Sequence, residues 1–437
     1  MQLTRRDLLG ATAVAGAAGL AAGCGPRRAE PSSGGSGGAA PAFDPASWDS
    51  VRAQFALDRD RAHLATFVFA PHPEPVRAAV AAHRDGLDRD AMGYLAANEE
   101  RLDAAVLDAA AGHLDTRPDQ VALTDSTTMG LGLLYTAVRL RPGDEILTTE
   151  HDFYATHEAL RLRAERDGVA VRRVRLYRDP AVTTVDEIVG SLAAAVTGRT
   201  RVVALTWVHS STGVKLPVRQ LAEAVRARAP EALVCVDGVH GFGAEAATPA
   251  QLGCDALVSG CHKWLLGPRG TGLVWGSTRA WDRMTPVIPP FDGRSMGHWL
   301  SRRAGRPSTP GGRAHTPGGY HTFEHRWALA EAFDFHRRIG PDRVAARTRE
   351  LADRLKDGLA GIRGVRLVTP RPAELSAGIV CCEVGDLPVG DALGGLHAAG
   401  VIASSTPYDP SYLRFGATVA NSEADVDAAV RAVDGLV

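Results

Sequence analysis

The sequence carries no surplus of charge of either sign. Its 49 basic and 50 acidic side chains leave a formal net charge of −1. Nucleic-acid binders and acidic or basic tails need such a surplus, and basic grooves interleaved with aromatics are also missing, so no nucleic-acid partner is expected. Cysteine is scarce: the chain has 6. Cys235, Cys254, Cys261, Cys381 and Cys382 lie in or beside apolar stretches, with no Cys-x-x-Cys or metal-ligand spacing. They read as small buried hydrophobes, with no metal site and no demand for a disulfide. No internal repeat is evident. What remains is a globular chain of 437 residues, 45% apolar, long enough for a large domain plus a smaller one.

The first residues, "MQLTRRDLLGATAVAGAAGLAAGCG", pair Arg5 with Arg6, run uncharged through residues 8–23 and reach Cys24. The apolar part is short and alanine-rich, which argues against a permanent span. The stretch resembles a twin-arginine export signal over residues 1–28. Cys24 after "LAAG" resembles a lipoprotein cleavage site, although alanine stands where leucine is usual. A periplasmic or extracellular location is therefore expected, with or without a lipid anchor at Cys24. Residues 29–45, rich in Gly, Ser, Ala and Pro, read as a flexible linker.

From about Asp119, short β-rich runs alternate with amphipathic ones. "QVALT", "DEILTT", "VAVRRVRLY", "RVVALTWV" and "ALVCVDG" read as strands. "TMGLGLLYTAVRL", "YATHEALRLRAERDG", "VDEIVGSLAAAVTG" and "PVRQLAEAVRARAP" read as helices. This alternation predicts an α/β domain, residues 46–334, with a mainly parallel sheet covered on both faces. Past residue 335 the pattern changes to a smaller α+β domain, residues 335–437, whose closing helix is capped by Ser422 with Asp425 three residues on.

Ligands on such sheets sit outside the carboxyl ends of the strands, and four polar clusters follow strands directly. "TDSTTMG" opens a helix with Ser126, Thr127 and Thr128 and suits a phosphate. "TTEHDFY" offers the flat rings of His151 and Phe153. "VCVDGVHGFG" ends an apolar strand on Asp237, where a carboxylate needs a cationic or proton-donating partner. "SGCHKWLLGPRGTG" sets Lys263 at the mouth of a glycine-rich turn. Near an apolar interior an ammonium loses hydration and its pKa falls, and a neutral amine attacks carbonyls. One cofactor needs all four features. Pyridoxal phosphate requires an amine for its aldehyde (Lys263), a phosphate cup (Thr128), a carboxylate under its pyridine nitrogen (Asp237) and a ring against its face (His151).

At these residues the sequence resembles the class V aminotransferase family of fold-type I pyridoxal-phosphate enzymes. "SGCHKWLLGPRGTG" is most similar to its isopenicillin N epimerase-like branch. The resemblance implies a seven-stranded large-domain sheet and a homodimer whose sites are completed across the two-fold. It implies that Lys263 forms the Schiff base, with Asp237 and His151 as its catalytic companions. It implies further cofactor contacts from Thr127, Thr128, Ser259 and His262 on the phosphate side, and from His240 at the ring hydroxyl. Ser210, in "WVHSSTGVKLPV", stands in the family's ring-contacting segment, and Arg414 in "LRFGATVANSEADVD" is the implied partner of the substrate α-carboxylate. Departures are present as well. Met129 replaces the usual glutamate, "TFEHRW" replaces a Gly-Thr contact from the second subunit, leaving Arg326 or His325 in that role, and "VIASSTPYDPSYLRFG" lacks the cysteine that the family's desulfurases carry there.

The function that follows is chemistry at Cα of an amino acid or amino-acid-like substrate, epimerase-like by resemblance. Transamination and C–S or β-elimination are the alternatives, and an exported carrier of the cofactor or of amino acids is the non-enzymatic one. Tyr154, His298, Trp299, Tyr320 and His325 are candidate pocket residues.

Overall fold

A computed structural model describes residues 42–302, 304–305 and 311–437. The export signal, Cys24 and residues 29–41 of the linker lie outside the described residues. After a short strand β1 (Ala62–His63) come the strands of the main sheet: β2 (Val121–Thr124), β3 (Glu145–Thr149), β4 (Ala170–Val174), β5 (Thr200–Thr206), β6 (Leu233–Asp237), β7 (Ala256–Gly260) and β8 (Gly272–Gly276). They form a 7-stranded sheet in the order β2-β8-β7-β6-β5-β3-β4. β8 is antiparallel to both its neighbours, and the other adjacent pairs are parallel.

The inner strands are apolar because both faces are covered. β6 and β7 are buried at every position. Successive side chains point to opposite faces. Val234 and Val236 therefore pack on one side, with helices Ala91–Leu114, Val185–Ala195, Val218–Arg228 and Phe323–Ile339. Leu233 and Cys235 pack on the other, with Thr127–Ala137 and Tyr154–Asp167. Each fully buried aliphatic side chain contributes roughly 1.5–3 kcal/mol. The edge strand β4 is the exception, with a mixed, partly exposed pattern that accommodates its two arginines.

The C-terminal strands are β9 (Val365–Leu367), β10 (Ile379–Val384), β11 (Val401–Ile402), β12 (Ser404–Ser405) and β13 (Leu413–Gly416). β12-β13-β10-β9 make a 4-stranded antiparallel sheet. It is backed by helices Pro341–Ala360, Val389–Ala398 and Glu423–Asp434 through Leu355, Leu396 and Val426. The last helix starts with a capping box between Ser422 and Asp425, where the sequence places its cap. β1 pairs in parallel with β11, so a segment far upstream belongs to this smaller unit. The division expected at residue 335 falls inside helix Phe323–Ile339. The five described cysteines are free and buried.

Gly243 marks where the sheet meets the functional loop. Its φ is +83°, a backbone region that favours glycine, and a Cβ there would lie 2.6 Å from the Leu265 nitrogen and 2.8 Å from the Trp264 carbonyl carbon. Gly243→Ala is expected to cost about 1–3 kcal/mol from strain and overpacking. A lowered denaturation midpoint of the variant checks this, and an unchanged midpoint contradicts it.

Candidate active site

The carboxyl ends of β2, β3, β5, β6 and β7 deliver the predicted polar clusters to one edge of the sheet. Asp237 is the last residue of β6 and is 2% exposed. Its Oδ1 accepts the Val239 N–H at 3.0 Å, and its Oδ2 carries no hydrogen bond among the described residues. Burial raises its pKa above the ordinary 3.8, against the pull of the Val239 N–H and the Lys263 charge. A buried carboxylate with one unused oxygen lacks a full cationic partner.

Lys263 lies three residues beyond β7, half-buried in the turn. Burial lowers its pKa below 10.5, and the Arg414 charge adds to the effect while Asp237 opposes it. A hydrogen-bond chain works in the same direction. The Trp264 indole N–H donates to His240 Nδ1 at 3.2 Å. An indole only donates, so Nδ1 is the accepting nitrogen, and neutral His240 carries its proton on Nε2. That N–H points at Lys263 Nζ, 3.2 Å away. A neutral amine accepts from it, whereas an ammonium would set donor against donor. His240 itself stays neutral, because burial holds its pKa well below 6.5.

His151 follows β3. Its ring stacks on Tyr177 with centroids 3.9 Å apart and planes 7° from parallel. The Leu176 N–H donates to its Nε2 at 3.3 Å, which leaves the proton on Nδ1. Burial lowers its pKa to about 3, so the ring is neutral and one face is free of Tyr177. Tyr177 is in turn held by His209 Nδ1 at 2.8 Å and Thr212 Oγ1 at 3.0 Å. Neither Tyr177 nor His209 was singled out from the sequence. The strand-like "VAVRRVRLY" does end on Tyr177, at the strand end where ligands gather.

At the start of helix Thr127–Ala137, Ser126 Oγ accepts the Met129 N–H at 3.1 Å as a cap. Thr127 Oγ1 accepts the Gly260 N–H at 2.7 Å and ties the helix to β7. Thr128 is exposed, and its hydroxyl has no partner among the described residues. The first turn of a helix has unpaired N–H groups, the feature an anion requires. His262 Nδ1 is buried without a partner. Ser259 Oγ is fully buried and donates to the Gly260 carbonyl at 3.0 Å.

Arg414 reaches the edge from β13 and is 6% exposed. Its Nε donates to Ser404 Oγ at 3.2 Å and its Nη1 to the Ser210 carbonyl at 3.1 Å. Arg326 lines a cavity with Thr124, Asp125 and Gly272 at the end of β2. Tyr154, Trp299 and Tyr320 are 68%, 74% and 80% exposed. His298 faces the Gly305 carbonyl, and His325 the Arg269 carbonyl. Arg326 pairs with Asp103 at 3.7 Å.

These groups fit pyridoxal phosphate. A protonated ring nitrogen would supply the cation Asp237 lacks, Lys263 is an amine whose pKa burial lowers to about 8, and unpaired donors stand at a helix start. The Aminotransferase class-V family model matches residues 108–428. The chain belongs to the class V aminotransferase family. It is a pyridoxal-phosphate-dependent enzyme of that family with the fold-type I architecture. Isopenicillin N epimerase of Streptomyces clavuligerus is 28% identical over 402 residues, covering 90% of this chain and 98% of the relative. That of Amycolatopsis lactamdurans is 31% identical over 361 residues, covering 80% and 87%. Among solved structures, a C-DES mutant with glycine covalently linked to its PLP cofactor superposes with a TM-score of 0.80 at 20% identity, covering 88% of this chain and 98% of that one.

The Trp264–His240–Lys263 chain predicts a pH effect. Capture of pyridoxal phosphate by the apoprotein needs the neutral amine, so a lowered lysine pKa moves capture to lower pH. Trp264→Phe removes the donor that fixes the His240 tautomer, and the capture profile should move up by about one pH unit. A stopped-flow pH series measures this, and a profile that does not move contradicts it.

Proposed function

We propose that the enzyme inverts the configuration at Cα of an amino-acid-like substrate. The observation that supports this reading is the similarity to two isopenicillin N epimerases, together with an easily deprotonated amine, Lys263, and a buried guanidinium, Arg414, on one strand-end edge that also bears Asp237. When bound, pyridoxal phosphate supplies an electron-withdrawing ring that stabilises negative charge at an amino acid's Cα. Asp237 would hold the proton on the ring nitrogen, and the helix start at Thr127 and Thr128 would receive the phosphate. The free face of His151 would cover the ring.

Arg414 would orient the substrate through its carboxylate, a geometry a guanidinium matches with two parallel bonds. Lys263, once released from the cofactor's aldehyde, would take the proton from Cα as general base. A proton that originates in solvent, delivered to the opposite face, completes the inversion, and Lys263 gives up the one it took. A persulfide route is not favoured, because it needs a reactive thiolate. The described cysteines are all buried, and burial pushes the thiols of Cys381 and Cys382 up to about 12.

Two further parts of this reading concern the setting. Residues 1–28 would export the folded, cofactor-loaded chain by the twin-arginine route, with Cys24 as a lipid anchor. A homodimer is proposed because Phe291, Met296, Trp299, Leu300 and Tyr320 leave a run of large apolar side chains in solvent, of the kind a second copy covers.

Incubation of the holoenzyme with candidate amino acids and small peptides in heavy water tests the reaction. Deuterium at an inverted Cα is expected. Formation of a 2-oxo acid would reassign the enzyme to transamination, and release of a β-substituent would reassign it to elimination, the chemistry of C-DES, a cystine C–S lyase. No spectral response to any amine would favour a carrier.

A further inference from the structure

Arg414 is not the only group the smaller domain sends to the site. Tyr408, in the loop between β12 and β13, lies with its hydroxyl 2.7 Å from Ser210 Oγ. Ser210 follows β5, and its backbone carbonyl accepts from Arg414 Nη1. One large-domain residue therefore holds both the phenol and the guanidinium. Phe153, just after β3, meets the Tyr408 ring at 6.0 Å with planes 64° apart. These contacts seat the phenol over the carboxyl ends of β3 and β5, where the site opens. Its loop is braced from within: Ser411 Oγ donates to the Thr406 carbonyl at 2.7 Å, and the Tyr412 N–H donates to Thr406 Oγ1 at 2.9 Å.

Two hydroxyls in contact carry two protons, and the hydrogen bond between them uses one. The other is left to donate, and no hydrogen bond among the described residues takes it. Arg414 is incompletely used in the same way. Its Nε and Nη1 are engaged, the Phe67 ring lies 5.3 Å from its Cζ, and Nη2 has no partner among the described residues. A free guanidinium N–H beside a free hydroxyl proton calls for an anion with two oxygens.

We propose that Tyr408 and Ser210 form a hydroxyl pair that completes the seat for the substrate carboxylate beside Arg414, which makes Tyr408 a substrate-contacting residue. This rests on the reading above that the substrate is an amino acid. Burial pushes the Tyr408 phenol above its ordinary value, so it keeps its proton and donates to the anion instead of repelling it.

Tyr408→Phe removes the O–H and keeps the ring against Phe153. Spectral titration of the holoenzyme with L-alanine and with ethylamine, the same amine without its carboxylate, isolates the carboxylate contribution. A hydrogen bond to a charged group is worth about tenfold or more in affinity. Tyr408→Phe is expected to weaken L-alanine by that factor and to leave ethylamine within about twofold, well inside the size of such a bond. Ser210→Ala should act in the same direction, and it carries the test if Tyr408→Phe loses its cofactor absorbance before any amine is added. Equal weakening of both probes, or of neither, overturns the proposal. Failure of the underlying reading looks different, because wild-type holoenzyme would then respond to neither amine.

Discussion

The site depends on making one amine easy to deprotonate. Lys263 sits where the sheet's apolar interior meets the turn, and removal of water disfavours its ammonium form. Burial alone would leave the outcome to the balance of nearby charges, with Arg414 and Asp237 pulling in opposite directions. The Trp264–His240 pair adds direction. It fixes a tautomer whose N–H faces Nζ, so the lysine is the accepting partner. The tryptophan beside the lysine thus acts through the histidine, in addition to filling space against Phe67.

The fold supplies the rest by geometry. Parallel strands end on the same edge, and each end contributes one kind of group: a helix start with unpaired N–H groups after β2, a flat ring after β3, a hydroxyl after β5, a carboxylate at β6 and the amine after β7. The smaller domain closes that edge with Arg414 and Tyr408. Ser210 joins the two domains, since its backbone meets the guanidinium and its side chain meets the phenol. Backbone fit matters as much as side chains, as the close approach of Gly243 to the Trp264–Leu265 backbone illustrates.

Much of this was legible in the sequence for a physical reason. A strand buried on both faces must be apolar, so the first polar residues after it stand out, and Asp237, His151 and Lys263 were found that way. The turn-to-helix signals were equally plain, down to the cap at Ser422. Other features were not legible. β8 starts at the last glycine of the glycine-rich motif and runs antiparallel between β2 and β7, a pairing that local pattern does not encode. β1 pairs with β11 across more than three hundred residues. Tyr177, His209 and Tyr408 act through contacts made only after folding, and an aromatic at a strand end or in a loop carries no periodic signal. The Ser259 hydroxyl, placed on the phosphate side by family resemblance, donates to the Gly260 carbonyl, a contact that sequence pattern does not encode.

The most direct test is chemical. Protein purified with ample pyridoxal phosphate is reduced with borohydride, digested and examined by peptide mass spectrometry. The account predicts that the cofactor's mass is fixed on Lys263 and on no other lysine. An unmodified Lys263 peptide, with label absent or on another lysine, would contradict it.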